Sequence, residues 1–135
     1  MTYLIDTNIF VILLKRKGPD GWRISERLAR EPESAICTSS IVEAELWHGA
    51  EKYEVPAARR SELTTLLAPY HILPFDSRCV PPYAEIRHHL ELQGQIIGAN
   101  DLMIAATVLA YGLTLISHNC DEFARVPGLR WEDWA

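Results

Sequence analysis

An α/β fold, with a mainly parallel sheet of four to five strands covered by helices on both faces, is what this sequence predicts. Three observations carry the prediction. Short runs at Thr2 to Ile5, Ala35 to Thr38, His71 to Phe75 and Leu113 to Ser117 alternate with longer segments of helical pattern, the order of strand–helix–strand units rather than of hairpins. The first of these runs, Tyr3-Leu4-Ile5, is short and apolar, which suits a strand covered on both faces. The stretch from Asn100 to Tyr111 is apolar almost without interruption once Asp101 is passed, and a helix of that composition belongs in an interior.

In order along the chain, the first strand ends on Asp6, and Asp6-Thr7-Asn8 are helix-start residues. Ile9 to Lys17 then reads as a helix stopped before Gly18-Pro19, and Trp22 to Arg30 as a second, with Trp22, Ile24 and Leu28 on its buried side. After the second strand, Ser39-Ser40 can cap a helix from Ile41 to Lys52, in which Trp47 is expected in the core. Pro56 to Leu67 predicts a helix whose inward stripe is Leu63, Leu66 and Leu67. A turn at Asp76-Ser77 follows the third strand, and Pro81-Pro82 stand where a helix running to about Gln93 can begin. Gly94 and Gly98 bracket the next loop, Gly112 stops the apolar helix, and Asp121 to Arg125 makes a short helical turn. The last strand candidate is Leu129 to Trp131, and Trp131 and Trp134 are expected to pack back on the body, since indoles are seldom left wet.

At 135 residues the chain reads as one domain, 1–135, with 48% apolar and 23% charged residues in the ordinary globular range. No apolar run approaches the roughly 20 residues of a membrane span, and the first residues lack a basic leader, so the expectation is a cytoplasmic protein with no membrane partner. Cys37, Cys79 and Cys120 are odd in number and widely spaced, which argues against a disulfide framework or a thiolate metal site. The five histidines show no metal-ligand spacing, and no glycine-rich phosphate loop is present. A net charge of −5 argues against bulk attraction to nucleic acid, although Lys15, Arg16, Lys17, Arg23, Arg27 and Arg30 crowd the first quarter and leave room for a local basic rim.

Carboxylates are the remaining candidates for chemistry. Ligands of parallel sheets bind beyond the carboxyl ends of the strands, where Asp6 follows the first strand and His118-Asn119 the fourth. The helix after the second strand supplies Glu43 and Glu45, and the apolar helix supplies Asp101. Because that helix leads into the fourth strand, local reasoning puts Asp101 at the opposite edge, and the preceding loop has to bring it back. Acids gathered without lysines or cysteines suit a hard cation such as Mg²⁺ or Mn²⁺, which relieves their mutual repulsion and supports phosphodiester hydrolysis with one ion or two. The competing reading is structural: Asp6 and Asn8 cap the first helix, Asp101 complements a helix dipole, and Glu45 is a surface residue.

The stretches LIDTNIFV, SSIVEAELWHGAEK, GANDLMIAA and SHNCDEFARVPGLRWEDW, in that order over essentially the whole chain, resemble the PIN-domain ribonucleases, and within them the VapC-type toxins of bacterial toxin–antitoxin pairs. The resemblance implies a PIN-like three-layer α/β/α sandwich and Mg²⁺- or Mn²⁺-dependent cleavage of single-stranded or looped RNA, with tRNA a frequent substrate class. Asp6 and Asp101 match the first and third acidic positions of the family and look like direct metal ligands. The second acid precedes an apolar pair and a glycine, as in Glu45-Leu46-Trp47-His48-Gly49, which selects Glu45. Glu43 lies about 200° away on the same helix and is expected to face solvent. At the fourth position the family often has aspartate, whereas Asn119 stands here with Asp121 two residues on, leaving open which of them completes the site and whether one ion or two are held. Thr7, Asn8 and Ser39 are candidates to steady the ligands or metal-bound waters. The family also implies homodimerisation and inhibition by a VapB-type antitoxin that covers the acidic cleft. A PIN nuclease of RNA processing, one acting on DNA, and a non-catalytic α/β binding module are the alternatives, the last distinguished by its lack of metal-dependent turnover.

Overall fold

The computed structural model of this chain describes residues 1–15 and 18–135. Five strands form one sheet: β1 (Tyr3–Ile5), β2 (Ile36–Ser39), β3 (His71–Leu73), β4 (Thr114–Ile116) and β5 (Trp131–Glu132). Their order is β3-β2-β1-β4-β5, and every neighbouring pair is parallel. Tyr3 sits opposite Ile36 on one side and Thr114 on the other, so the first strand of the chain is the middle of the sheet. Successive strand residues point to opposite faces. Leu4 and Ile5 are both fully buried, and so are all four residues of β2, which requires cover on both faces.

That cover comes from α1 (Thr7–Lys15), α2 (Pro19–Arg30), α3 (Ser40–Ala50), α4 (Pro56–Leu67), α5 (Val80–Leu92), α6 (Ala99–Tyr111) and the single turn α7 (Cys120–Phe123). Arg16 and Lys17, with which the first predicted helix ends, lie outside the described residues. Ser39 caps α3 by accepting a hydrogen bond from the Val42 N–H at 3.1 Å. Gly112 ends α6 at φ 64°, in the left-handed region that glycine enters without a Cβ penalty. Within α6, Leu102 and the run Ile104 to Val108 are buried, and its polar member Thr107 is satisfied by donating to the Met103 carbonyl at 2.8 Å.

Two tryptophans depart from expectation. Trp22 is 73% exposed, because Gly21 and Ile24 define the buried side of α2 and Trp22 stands about 200° from Ile24. Trp47 is 39% exposed, since Val42, Leu46 and Ala50 form the inward stripe of α3 and the next residue turns about 100° away. The C-terminal indole does pack back: Trp134 is buried edge-on against Tyr3 at 5.0 Å, with the Arg27 guanidinium 4.5 Å from its ring. No helix among the described residues is long and apolar enough to cross a membrane.

Candidate active site

The sheet order reverses at β1, whose neighbours are β2 on one side and β4 on the other. Such a reversal opens a crevice at the carboxyl edge, between the two strands that diverge. Asp6 stands at that edge, its backbone N–H still donating to the Ile116 carbonyl of β4 at 2.9 Å. The side chain is only 3% exposed. Its two oxygens accept from the Thr7 N–H at 2.8 Å and the Ser117 hydroxyl at 2.7 Å. Burial nevertheless dominates and, with the Glu45 charge nearby, raises the Asp6 carboxyl from 3.8 to about 6 against the pull of those two bonds.

Ser117 is the hub of the loop after β4. While donating to Asp6 it accepts from the Asn119 N–H at 3.0 Å and from the Asn8 amide at 3.4 Å. Asn8 in turn accepts from the His118 N–H at 3.1 Å, so the start of α1 and the exit of β4 are laced together. Glu45 reaches the same place from α3, where the Thr7 hydroxyl donates to one of its oxygens at 2.7 Å and the Asn100 amide to the other at 3.4 Å.

Asp101 lies on the same edge without help from the preceding loop. A helix that leads into a parallel strand runs antiparallel to it, so the start of α6 is already at the carboxyl edge; the expectation of an opposite placement neglected that direction. Asn119 donates to Asp101 at 3.3 Å and, from the same nitrogen, to Glu122 at 3.4 Å. Burial first, then the hydrogen bond with Glu122 and the charges of Asp6, Glu122 and Glu45, push the Asp101 carboxyl well above the ordinary carboxylate range. Glu122 is lowered by the same shared hydrogen bond. The two shifts are opposite in direction, as expected where one carboxyl donates to the other.

The structure thus gathers Asp6, Glu45, Asp101 and Asn119 from four separated elements. Asp121 is exposed and takes no part in this hydrogen-bonded set, whereas Glu122 does. Glu43 is half-buried rather than turned to solvent, and Ser39 is spent on its cap. Ser117 and Glu122 are the residues that sequence reasoning passed over. The signal for Glu122 was its i,i+3 spacing from Asn119, which a helical turn brings to one side.

No ion pair among the described residues ties Asp6, Glu45, Asp101 or Glu122 to an arginine or lysine. Their hydrogen-bond partners are neutral hydroxyls, amides and a backbone N–H. The helix α2 arginines are occupied elsewhere, Arg23 with Asp20, Arg27 with Glu31 and Glu132, Arg30 with Glu26. Among the described residues no three His, Cys, Asp or Glu side chains are drawn close enough to cage an ion. An all-oxygen set of this kind fits Mg²⁺ or Mn²⁺, which need only one or two carboxylates and keep water at their other positions.

Comparison with known proteins bears on this geometry. Residues 3–129 match the family model described as PIN domain. Ribonuclease VapC2 of Rickettsia felis is 38% identical over 134 residues, covering 99% of this chain and 98% of that protein. The tRNA(fMet)-specific endonuclease VapC of Shigella flexneri is 32% identical over 135 residues, covering 100% and 99%. Among solved structures, that of DNA-bound VapBC from Salmonella typhimurium superposes with a TM-score of 0.92 at 32% identity, covering 100% of this chain and 99% of that one.

Proposed function

From the premise that this chain belongs to the PIN-domain family, among relatives named as VapC ribonucleases, we propose that it is a divalent-metal-dependent endoribonuclease toxin acting on RNA, with tRNA as the substrate class. The single observation that carries the proposal is the group of carboxylates at the β1/β4 crevice, held by neutral donors and, among the described residues, tied by no ion pair to a lysine or arginine. Asp6, Glu45 and Asp101 would hold Mg²⁺ or Mn²⁺ between them, some directly and some through its waters, and Glu122 joins them through its hydrogen bond with Asp101. Such an ion supplies an activated water and charge for the leaving oxygen.

The chain's own residues do the positioning. Thr7 and Ser117 fix both oxygens of Asp6, so that buried carboxylate has one orientation. Asn119 spans Asp101 and Glu122 and sets their separation, contributing geometry but no charge. Asp101, raised by burial and by its acidic neighbours, would lose its proton more readily once a cation is bound beside it. Glu45 is aimed by Thr7 and Asn100 from the far side.

The Salmonella typhimurium relative assembles as VapBC, and on that basis the partner proposed for this chain is a VapB-type antitoxin, with a homodimer as the toxin's own state. The test is incubation with a tRNA pool in Mg²⁺ or Mn²⁺ and then in chelator, beside Asp6→Ala. Discrete fragments that need both metal and Asp6 are the expected result. Metal binding with no cleavage of any RNA would overturn the ribonuclease assignment and turn the search to DNA, and failure to bind metal as well would favour a binding module.

A further inference from the structure

Between Ser117, which binds Asp6, and Asn119, which binds Asp101 and Glu122, stands His118, a side chain used neither by the carboxylates nor by the core. Its backbone N–H is pinned by Asn8 at 3.1 Å. Its ring is pinned too: Nδ1 lies 2.8 Å from Oδ2 of Asp133, whose other oxygen accepts from the Ala135 N–H at 2.9 Å. The side chain is still 51% exposed. Only Nδ1 is engaged among the described residues, Nε2 is left over, and the two residues that flank His118 in sequence both bind the carboxylates.

The tautomer follows from the partner. A carboxylate accepts and does not donate, so Nδ1 carries a proton toward Asp133, and in the neutral form of the ring the lone pair is at Nε2. An exposed acceptor of this kind is mismatched to a phosphate, which offers acceptors only. It matches a hydroxyl donor. On a polynucleotide strand the donor that distinguishes RNA from DNA is the ribose 2′-hydroxyl. Resting on the nuclease reading above, we propose that His118, oriented by Asp133, accepts a hydrogen bond from a 2′-hydroxyl of the bound strand and so biases this site toward RNA.

The test uses single-stranded RNA and DNA oligonucleotides of one sequence, with binding measured at pH 8 in chelator and cleavage in Mg²⁺. His118→Asn keeps an amide donor where Nδ1–H stood, facing Asp133, but ends short of Nε2. His118→Gln restores a polar atom at the distal position. Wild type is expected to bind RNA roughly 3- to 10-fold better than DNA, the worth of one net hydrogen bond. His118→Asn should lose that preference with an unchanged melting temperature, and His118→Gln should recover part of it. Retention of the preference in His118→Asn, or its absence in wild type, overturns the proposal. Should wild type prefer RNA through His118 and yet cut nothing, the nuclease reading falls while this one stands; should it cut RNA with no dependence on His118, the reverse holds.

Discussion

Replacing Asp6 by asparagine should make the metal-free protein more stable at neutral pH while abolishing its activity. Asp6 is 3% exposed and its carboxyl is raised from 3.8 to about 6 by burial. The folded protein therefore holds this proton more tightly than the unfolded chain does. Stability contributed by the protonated form is complete below pH 4 and is lost as pH rises through about 6. A shift of about 2 units corresponds to about 3 kcal/mol of stability lost above that window. Asparagine is nearly isosteric and carries no charge. Its carbonyl can still accept from the Thr7 N–H, but its amide meets a Ser117 hydroxyl already accepting from Asn119 and Asn8, at a cost of about 1 kcal/mol for the lost bond. The net expectation is a variant about 2 kcal/mol more stable than wild type at pH 8 in chelator and about 1 kcal/mol less stable near pH 4. Urea denaturation of both proteins across pH 4 to 8 measures the difference directly. A difference that stays flat over this range, or a variant less stable at pH 8, would refute the electrostatic account of the site.

Glu122→Gln keeps the shape of the pair but removes the charge that shares a proton with Asp101; RNA cleavage should fall about 10- to 100-fold with an unchanged circular dichroism spectrum, and a full rate would remove Glu122 from the site. Metal uptake must displace the proton on the Asp101–Glu122 pair, so Mg²⁺ binding should release protons at pH 7 and tighten between pH 6 and 8; calorimetry in two buffers of different ionisation enthalpy reads this, and identical heats would contradict it. Ser39→Ala removes the cap of α3 and should cost about 1 kcal/mol in urea denaturation while leaving cleavage intact, because that hydroxyl is engaged by Val42; a large loss of activity at full stability would return Ser39 to the catalytic machinery.

The strands were legible because short apolar runs between turn residues leave few alternatives, and their parallel order follows from the helices between them. Helical rotation showed that Glu43 and Glu45 cannot face one site, and the apolar pair and glycine that follow Glu45 chose between them. The same rotation, had it been applied to Trp22 against Ile24 and to Trp47 against Leu46, would have exposed both indoles; apolar character outweighed angle in reading them. The placement of Asp101 turned on the direction of a helix, which no residue type encodes. Glu122 was hidden by the shortness of α7: four residues give no periodicity to read, and an aspartate two positions after Asn119 drew the eye from the glutamate three positions after it. Ser117 gave no signal as a residue type, because its importance lies in a hydroxyl that meets the Asn119 N–H, the Asn8 amide and the Asp6 carboxylate at once.

The hydrogen bond from Ser117 to Asp6 closes over 111 positions of sequence. Because β1 is the middle strand and β4 its neighbour, everything that fixes the buried carboxylate on its second oxygen is synthesised in the last fifth of the chain. A ribosome that has released only the first hundred residues into solution displays Asp6 and Glu45 without Asp101, Ser117, Asn119 or Glu122 to join them. The carboxylate set therefore cannot assemble on the growing polypeptide until β4 has emerged and slotted in beside β1. The topology itself makes the crevice one of the last features of the chain to form during synthesis.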